Sequence, residues 1–134
     1  MLYDTDILIW VQRGNQKAAL LIEKDNDRQL SIQSYMELIQ GAKNKSQHKY
    51  VKYFIREFEF SILPLTENIG HRALIYVEEH ALASNMRLGD AIIAATAIEN
   101  NIKCHYFDYI RRFINSYFTH LYREEIKNNE FKKQ

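Results

Sequence analysis

The segment from Ala91 to Ala97, AIIAATA, has no charged side chain. Small and apolar residues occupy every face of a helix formed by this segment, and such a helix is buried inside a domain. Asp90 stands directly before it. A carboxylate so close to the interior is costly unless a helix end or a positive charge compensates it. The sequence therefore predicts a fold built around a central helix whose first turn holds an acid.

Length and composition predict one ordinary domain. The chain has 134 residues, of which 46% are hydrophobic and 26% charged, as expected for a soluble globular protein. We expect a single domain over residues 1–122 and a polar tail, REEIKNNEFKKQ, over residues 123–134. The opening MLYDTDILIW has acids where a signal peptide has basic residues, and one cysteine fits a reducing compartment. These features favour a cytoplasmic protein without a membrane segment.

Several enzyme classes lack their motifs. The sequence has no Walker A pattern, CxxC pair, HExxH or GxSxG. Its formal net charge is +1, so binding to nucleic acid requires a local basic patch rather than the field of the whole molecule.

Short apolar strands alternate with helical segments along the chain. The strands are MLY, QLSIQ, FSILPL and IKCHYF, with a further edge strand in YFTHLY. This alternation predicts an α/β domain with a mostly parallel central sheet of about four to five strands flanked by helices. The helix SYMELIQGAK begins with an S-x-x-E pattern, which predicts a capping box of Ser34 and Glu37.

Four acids fall near one edge of this sheet. Asp4 follows the first strand, Glu37 lies one turn past the second, and Asp108 follows IKCHYF. Asp90 opens the helix that precedes that last strand. Ligands of such sheets bind at the carboxyl ends of the strands, so we expect the four carboxylates to converge there.

A cluster of carboxylates needs protons or a cation. Mg²⁺ and Mn²⁺ prefer oxygen ligands, and such an ion activates water and stabilises charge on a phosphoryl group. Hydrolysis of a phosphodiester is the chemistry that this cluster suits best. Each acid also has a structural alternative: Asp90 at the helix dipole, Glu37 in the capping box, Asp4 in a turn and Asp108 in a loop.

The same residues carry a family resemblance. MLYDTDILIW, SYMELIQGAK and MRLGDAIIAATAIENN resemble, in this order, the three acidic blocks of PIN-domain ribonucleases, over roughly residues 1–114. The sequence is most similar to VapC-like toxins of toxin–antitoxin pairs. The resemblance implies that Asp4, Glu37 and Asp90 bind Mg²⁺ or Mn²⁺ and that Asp108 occupies a fourth position. It also implies an endoribonuclease that leaves a 5′-phosphate and a 3′-hydroxyl, dimerises, and is silenced by a small antitoxin.

Other residues near the expected site are weaker candidates for a functional role. Asp6 either caps the first helix or contacts a water on the metal, and Thr5 offers its hydroxyl to the same water. Two basic stretches flank the expected cleft and either hold an RNA backbone or form a solvated face: Lys43, Lys45, Lys49 and Lys52, and Arg111 with Arg112.

Two other functions remain open from the sequence. One is a PIN-like scaffold with an impaired site that binds RNA or protein. The other is a phosphatase similar to haloacid dehalogenases, because DTD follows a strand and Gly89-Asp90 occurs later. Ala94 stands where that family's second aspartate belongs.

Overall fold

A parallel sheet forms the centre of the molecule. The computed structural model describes residues 1–84 and 86–105. Within them the strands are β1 (Leu2–Tyr3), β2 (Gln29–Ser31), β3 (Ser61–Leu63) and β4 (Cys104–His105). They lie in the order β3-β2-β1-β4, all pairs being parallel. The predicted α/β class with a parallel sheet is confirmed, and the further strand expected in YFTHLY lies outside the described residues.

Helices connect the strands. Within the described ranges they are α1 (Thr5–Gln12), α2 (Gln16–Lys24), α3 (Ile32–Gly41), α4 (Lys45–Glu57), α5 (Glu67–Ser84) and α6 (Leu88–Glu99). Asn15 and Asn44 cap α2 and α4, because each side chain accepts a hydrogen bond from a backbone N–H of the first turn. Gly14 separates α1 from α2 with a φ of 85°, a conformation that favours glycine. None of the helices in residues 1–84 and 86–105 combines the length and hydrophobicity needed to cross a membrane.

Different helices cover the two faces of the sheet. Tyr3 and Leu30 pack into one cluster with residues of α1, α2 and α4. Leu2 packs on the other face against Ile93 and Ala97 of α6. Successive residues of a strand point to opposite faces, so β1 contributes one side chain to each layer. Helices therefore cover both faces of the sheet.

Helix α6 lies between the sheet and α5, as its composition predicts. Every side chain from Ala91 to Ala97 is buried. Ile69 and Ala73 of α5 pack against the alanines of this segment. The hydroxyl of Thr96 donates a hydrogen bond to the carbonyl oxygen of Ile92 at 2.7 Å, so its oxygen is satisfied inside the core. Small side chains let α5 and α6 approach closely.

Helix α3 begins earlier than the sequence pattern predicts. It starts at Ile32, and its N-cap is Ser31, whose hydroxyl accepts a hydrogen bond from the backbone N–H of Ser34 at 3.0 Å. The predicted capping box of Ser34 and Glu37 is therefore wrong. The last residue of β2 already supplies the cap, so the helix begins directly where the strand ends. Glu37 consequently lies beyond the first turn, where no backbone N–H needs its carboxylate.

Candidate functional site

Chain topology brings three distant segments to one edge of the sheet. Asp4 directly follows β1, and α3 begins where the neighbouring strand β2 ends. Helix α6 returns the chain to the amino edge before parallel strand β4, so its first residues lie at the carboxyl edge. Helices α3 and α6 are in contact. We call the group formed by Asp4, Asp6, Glu37 and Asp90 the acidic pocket.

Asp4 is the most enclosed acid of this pocket. Only 6% of its surface is exposed, and its side chain makes no capping hydrogen bond although it occupies the N-cap of α1. Burial raises the pKa of the Asp4 carboxyl to about 6, and the nearby charges of Asp6, Asp90 and Glu37 act in the same direction. The cap position belongs to Asp4, so the predicted N-cap role of Asp6 is wrong. Asp6 lies exposed in the first turn.

Both carboxylate oxygens of Glu37 are held by neighbouring side chains. The hydroxyl of Thr5 donates to Oε2 of Glu37 at 2.6 Å. The amide of Gln33, one turn earlier on α3, donates to Oε1 at 3.0 Å. A glutamate with three rotatable bonds is thereby restricted to one position, facing the end of β1.

Gly89 allows α6 to approach Glu37 closely. A Cβ at this position would lie 2.8 Å from Oε1 of Glu37, well inside the ordinary contact distance of about 3.4 Å. Its neighbour Asp90 is the third residue of α6 and accepts a hydrogen bond from the backbone N–H of Arg87 at 3.2 Å. The helix end thus compensates part of the charge of Asp90.

The acidic pocket has an excess of negative charge. Burial raises the pKa of the Asp90 carboxyl, and the charges of Glu37 and Asp6 raise it further, whereas the backbone N–H and the guanidinium of Arg87 lower it. Carboxylates that raise one another's pKa are unstable as a group of anions. They gain from any cation that reaches them.

The donor set suits a hard divalent cation. No three Asp, Glu, His or Cys side chains in residues 1–84 and 86–105 are placed as a group that could hold a metal ion. Mg²⁺ does not require such a group, because it keeps several waters and binds through one or two carboxylates together with substrate phosphates. Asp4, Glu37 and Asp90 supply oxygen donors of this kind at one edge of the sheet. In donor chemistry alone, these residues match the preference of Mg²⁺ or Mn²⁺ for oxygen ligands.

Three of the four acids predicted from the sequence meet in this pocket. Asp108, the expected fourth ligand, lies outside the described residues, as do Arg111 and Arg112. Gln33 and Gly89 were missed by the sequence analysis. The spacing of four residues between Gln33 and Glu37 is the signal that could have found the first. No sequence signal identifies Gly89, because its role depends on the distance between two helices.

The fold and the acidic pocket define an α/β domain that gathers carboxylates at the carboxyl edge of a parallel sheet. Residues 1–113 match the family model of the PIN domain. The chain belongs to the PIN-domain family, whose members are generally nucleases. This membership gives the phosphatase alternative no support.

Solved structures with the same fold include two bacterial assemblies. The chain is similar to a toxin–antitoxin complex from Klebsiella pneumoniae, with 28% identity, a TM-score of 0.65 and coverage of 77% of this chain and 82% of that chain. It is also similar in fold to FitAcB from Neisseria gonorrhoeae, with 20% identity, a TM-score of 0.61 and coverage of 77% and 84%. No curated protein matches the sequence significantly.

Proposed function

We propose that this chain is a Mg²⁺- or Mn²⁺-dependent endoribonuclease and the toxin of a toxin–antitoxin pair. The observation that carries the proposal is that Asp4, Glu37 and Asp90, which come from three separate stretches of sequence, lie close enough that, in addition to burial, the charge of Glu37 raises the pKa of both aspartates. The presence of these three acids together in a PIN domain supports phosphodiester hydrolysis as the reaction. The similarity to a toxin–antitoxin complex from Klebsiella pneumoniae supports the biological role.

The chain's residues have distinct parts in this proposal. Asp4, Glu37 and Asp90 would hold the ion, and Asp108 is proposed as a further ligand. When bound, the ion supplies positive charge that activates water and stabilises the phosphoryl oxygens. Thr5 positions Glu37 through its hydroxyl. The burial of Asp4 strengthens its attraction to a cation, since a charge in a low-dielectric environment interacts more strongly than one in water.

Single-stranded or looped RNA is the proposed substrate, because its bases and backbone are accessible. Water attacks phosphorus in line, and the bond to the 3′ oxygen breaks. One fragment carries the 5′-phosphate and the other the 3′-hydroxyl. These ends distinguish the proposed chemistry from metal-free cleavage through the 2′-hydroxyl.

Cleavage of total cellular RNA by the purified chain, with Mg²⁺ or with EDTA, tests the proposal. The decisive variant is Asp90→Asn, because an asparagine side-chain oxygen still accepts the hydrogen bond from the N–H of Arg87 while the negative charge is removed. Asp27→Asn is the matched control, since Asp27 is exposed in the segment before β2, near the opposite edge of the sheet.

We expect cleavage with Mg²⁺ by the wild type and by Asp27→Asn, and none with EDTA or by Asp90→Asn. Equal cleavage by the wild type and Asp90→Asn would show that the activity is foreign to this pocket. If the wild type cuts none of a broad RNA panel, the alternative of a PIN scaffold without catalysis takes its place.

A small antitoxin and a second copy of the chain are the proposed protein partners. The acidic pocket attracts an arginine or lysine side chain of the antitoxin, which would replace the cation. Helix α5 presents Leu74, Ile75 and Leu82 to the solvent, with 55%, 49% and 103% relative exposure. These apolar side chains support a protein contact at α5. Light scattering of the purified chain, alone and with any small protein encoded beside it, measures both assemblies.

A further inference from the structure

Helix α4 carries a row of positive charges. Lys45, Lys49, Lys52 and Arg56 follow one another at spacings of four, three and four residues, which places them in one stripe along the helix. We call these four residues the basic face. Glu57 is the one acid among residues 45–57. The charge of this helix surface is therefore far more positive than that of the chain as a whole, which is +1.

The basic face points away from the protein interior. Val51, Phe54 and Ile55, on the opposite side of α4, are buried in the main core cluster. Two tyrosines lie along the exposed side, Tyr50 with 50% and Tyr53 with 54% relative exposure. The outer surface of α4 thus combines cations with accessible aromatic rings.

Contacts within the described part of the chain leave most of these charges unneutralised. Among residues 1–84 and 86–105, no ion pair involves Lys45, Lys49 or Lys52. The guanidinium of Arg56 lies 3.7 Å from the carboxylate of Glu57, in an exposed pair, and 5.9 Å from the ring centre of Tyr53. Like charges three or four residues apart destabilise a helix. An anionic ligand would relieve this repulsion.

Helix α4 follows α3, the helix that carries Glu37, and contacts it. The segment β2–α3–α4–β3 joins two parallel strands, so α4 completes the return from the carboxyl edge to the amino edge of the sheet. Its 13 residues give a helix about 20 Å long. A nucleic acid strand that leaves the pocket along this side of the domain meets several cations in succession.

We propose that the basic face and Tyr53 form a binding track for single-stranded RNA, which extends the substrate contacts beyond the cleaved phosphate. This proposal rests on the proposed function, because it takes RNA as the substrate. The cations attract the phosphates, and the exposed ring stacks on an unpaired base. A lipid surface is disfavoured, because a membrane-binding helix inserts its apolar side, and that side of α4 is buried in the core.

Fluorescence anisotropy with a labelled 20-nucleotide single-stranded RNA of mixed sequence tests the track. The measurements use the full chain with Asp90→Asn, in EDTA, so that binding is separated from cleavage. The test variant is Lys45→Ala/Lys49→Ala/Lys52→Ala. The matched control, Arg13→Ala/Lys17→Ala/Lys24→Ala, also removes three exposed cations, from the end of α1 and from α2.

We expect the test variant to bind at least about tenfold more weakly, and the slope of log K against log salt to become shallower by about 2, since each lost phosphate contact contributes about 0.7 for a single strand. Tyr53→Ala is expected to weaken binding by about tenfold with little change in that slope, whereas Tyr53→Phe retains the ring and the affinity. The control triple variant should bind as the parent chain does.

Equal losses of RNA affinity in the test and control variants would overturn the proposed track. Unchanged RNA affinity of the test variant would overturn it as well. Binding of anionic phosphatidylserine vesicles, lost in the test variant while RNA binding is retained, would overturn it in favour of a membrane surface. Wild-type cleavage with no effect of the α4 variants on binding refutes the track and leaves the nuclease proposal intact. Binding that depends on α4 in a chain that never cuts RNA refutes the nuclease proposal and leaves the track intact.

Discussion

Replacing Gly89 by alanine is expected to impair the acidic pocket while leaving the stability of the domain nearly unchanged. Alanine is favoured over glycine within a helix by about 0.5 to 1 kcal/mol. At Gly89, however, the new Cβ would lie 2.8 Å from Oε1 of Glu37. The carboxylate has to move by roughly 0.6 Å to reach ordinary contact, although Thr5 and Gln33 hold it in place.

The displacement of Glu37 sets the magnitude of the effect. Weakening one of its two hydrogen bonds costs about 1 kcal/mol, which cancels the gain from the higher helix propensity of alanine. Gly89→Ala should therefore leave the free energy of unfolding within about 0.5 kcal/mol of the wild type. Gly70→Ala is the matched control, because Gly70 is also helical and has no atom within 4 Å of a Cβ built on it. That control should gain about 0.5 to 1 kcal/mol.

Urea unfolding, the rise in Tm caused by Mg²⁺, and RNA cleavage together measure this prediction. A shift below 1 Å in a site that positions reacting groups lowers kcat/KM by about tenfold to a hundredfold. We expect that loss, and a smaller Mg²⁺-dependent rise in Tm, for Gly89→Ala and not for Gly70→Ala. If Gly89→Ala gains as much stability as Gly70→Ala and keeps full cleavage, the inferred role of Gly89 is incorrect.

Three further changes test other parts of the structure. In EDTA the wild-type domain should lose stability relative to Asp4→Asn as the pH rises from about 4 to about 6, because a carboxyl whose pKa is raised to about 6 by burial binds its proton more tightly in the folded state. The variant should be more stable by up to about 3 kcal/mol at pH 7 and equal at pH 3.5; parallel curves of unfolding free energy against pH would contradict this. Thr5→Val removes the hydroxyl that donates to Glu37 at 2.6 Å. It should lower cleavage by about tenfold and the free energy of unfolding by about 1 kcal/mol, whereas Thr5→Ser keeps the hydroxyl and should retain cleavage. Arg28 donates to the carbonyl of Phe58 at 2.9 Å and to two carbonyls near the end of α2, so Arg28→Ala should lower the free energy of unfolding by about 2 kcal/mol without changing the rise in Tm that Mg²⁺ causes.

Local patterns in the chain were sufficient for the architecture. The charge-free segment from Ala91 to Ala97 predicts a buried helix, and the structure buries all of it. The alternation of short apolar strands with helices predicts a parallel sheet, and the four described strands pair in this way. These features depend on periodicity and composition, which are properties of neighbouring residues.

Helix starts were less predictable, because several residues compete for one cap. Ser31 and Ser34 are both suitable N-cap residues, and only the end of β2 selects Ser31. Asp4 and Asp6 compete in the same way at the start of α1, and Asp4 occupies the cap. A change of cap alters which side chains of the first turns are free for other contacts. With Ser31 as the N-cap, Glu37 is not needed in a capping box and is free to contact Thr5 and Gln33.

The linear order of residues was enough to predict that Asp4, Glu37 and Asp90 belong to one edge of a sheet, since strands that run parallel all end at the same edge and the helices that follow them begin there. The contacts that shape the pocket required the packed structure. The hydrogen bond from Thr5 to Glu37 joins residues 32 positions apart, and the approach of Gly89 to the same carboxylate depends on how closely α6 packs against α3. Distances of this kind arise when side chains from different elements fill shared space, and a pattern of neighbouring residues contains no measure of them.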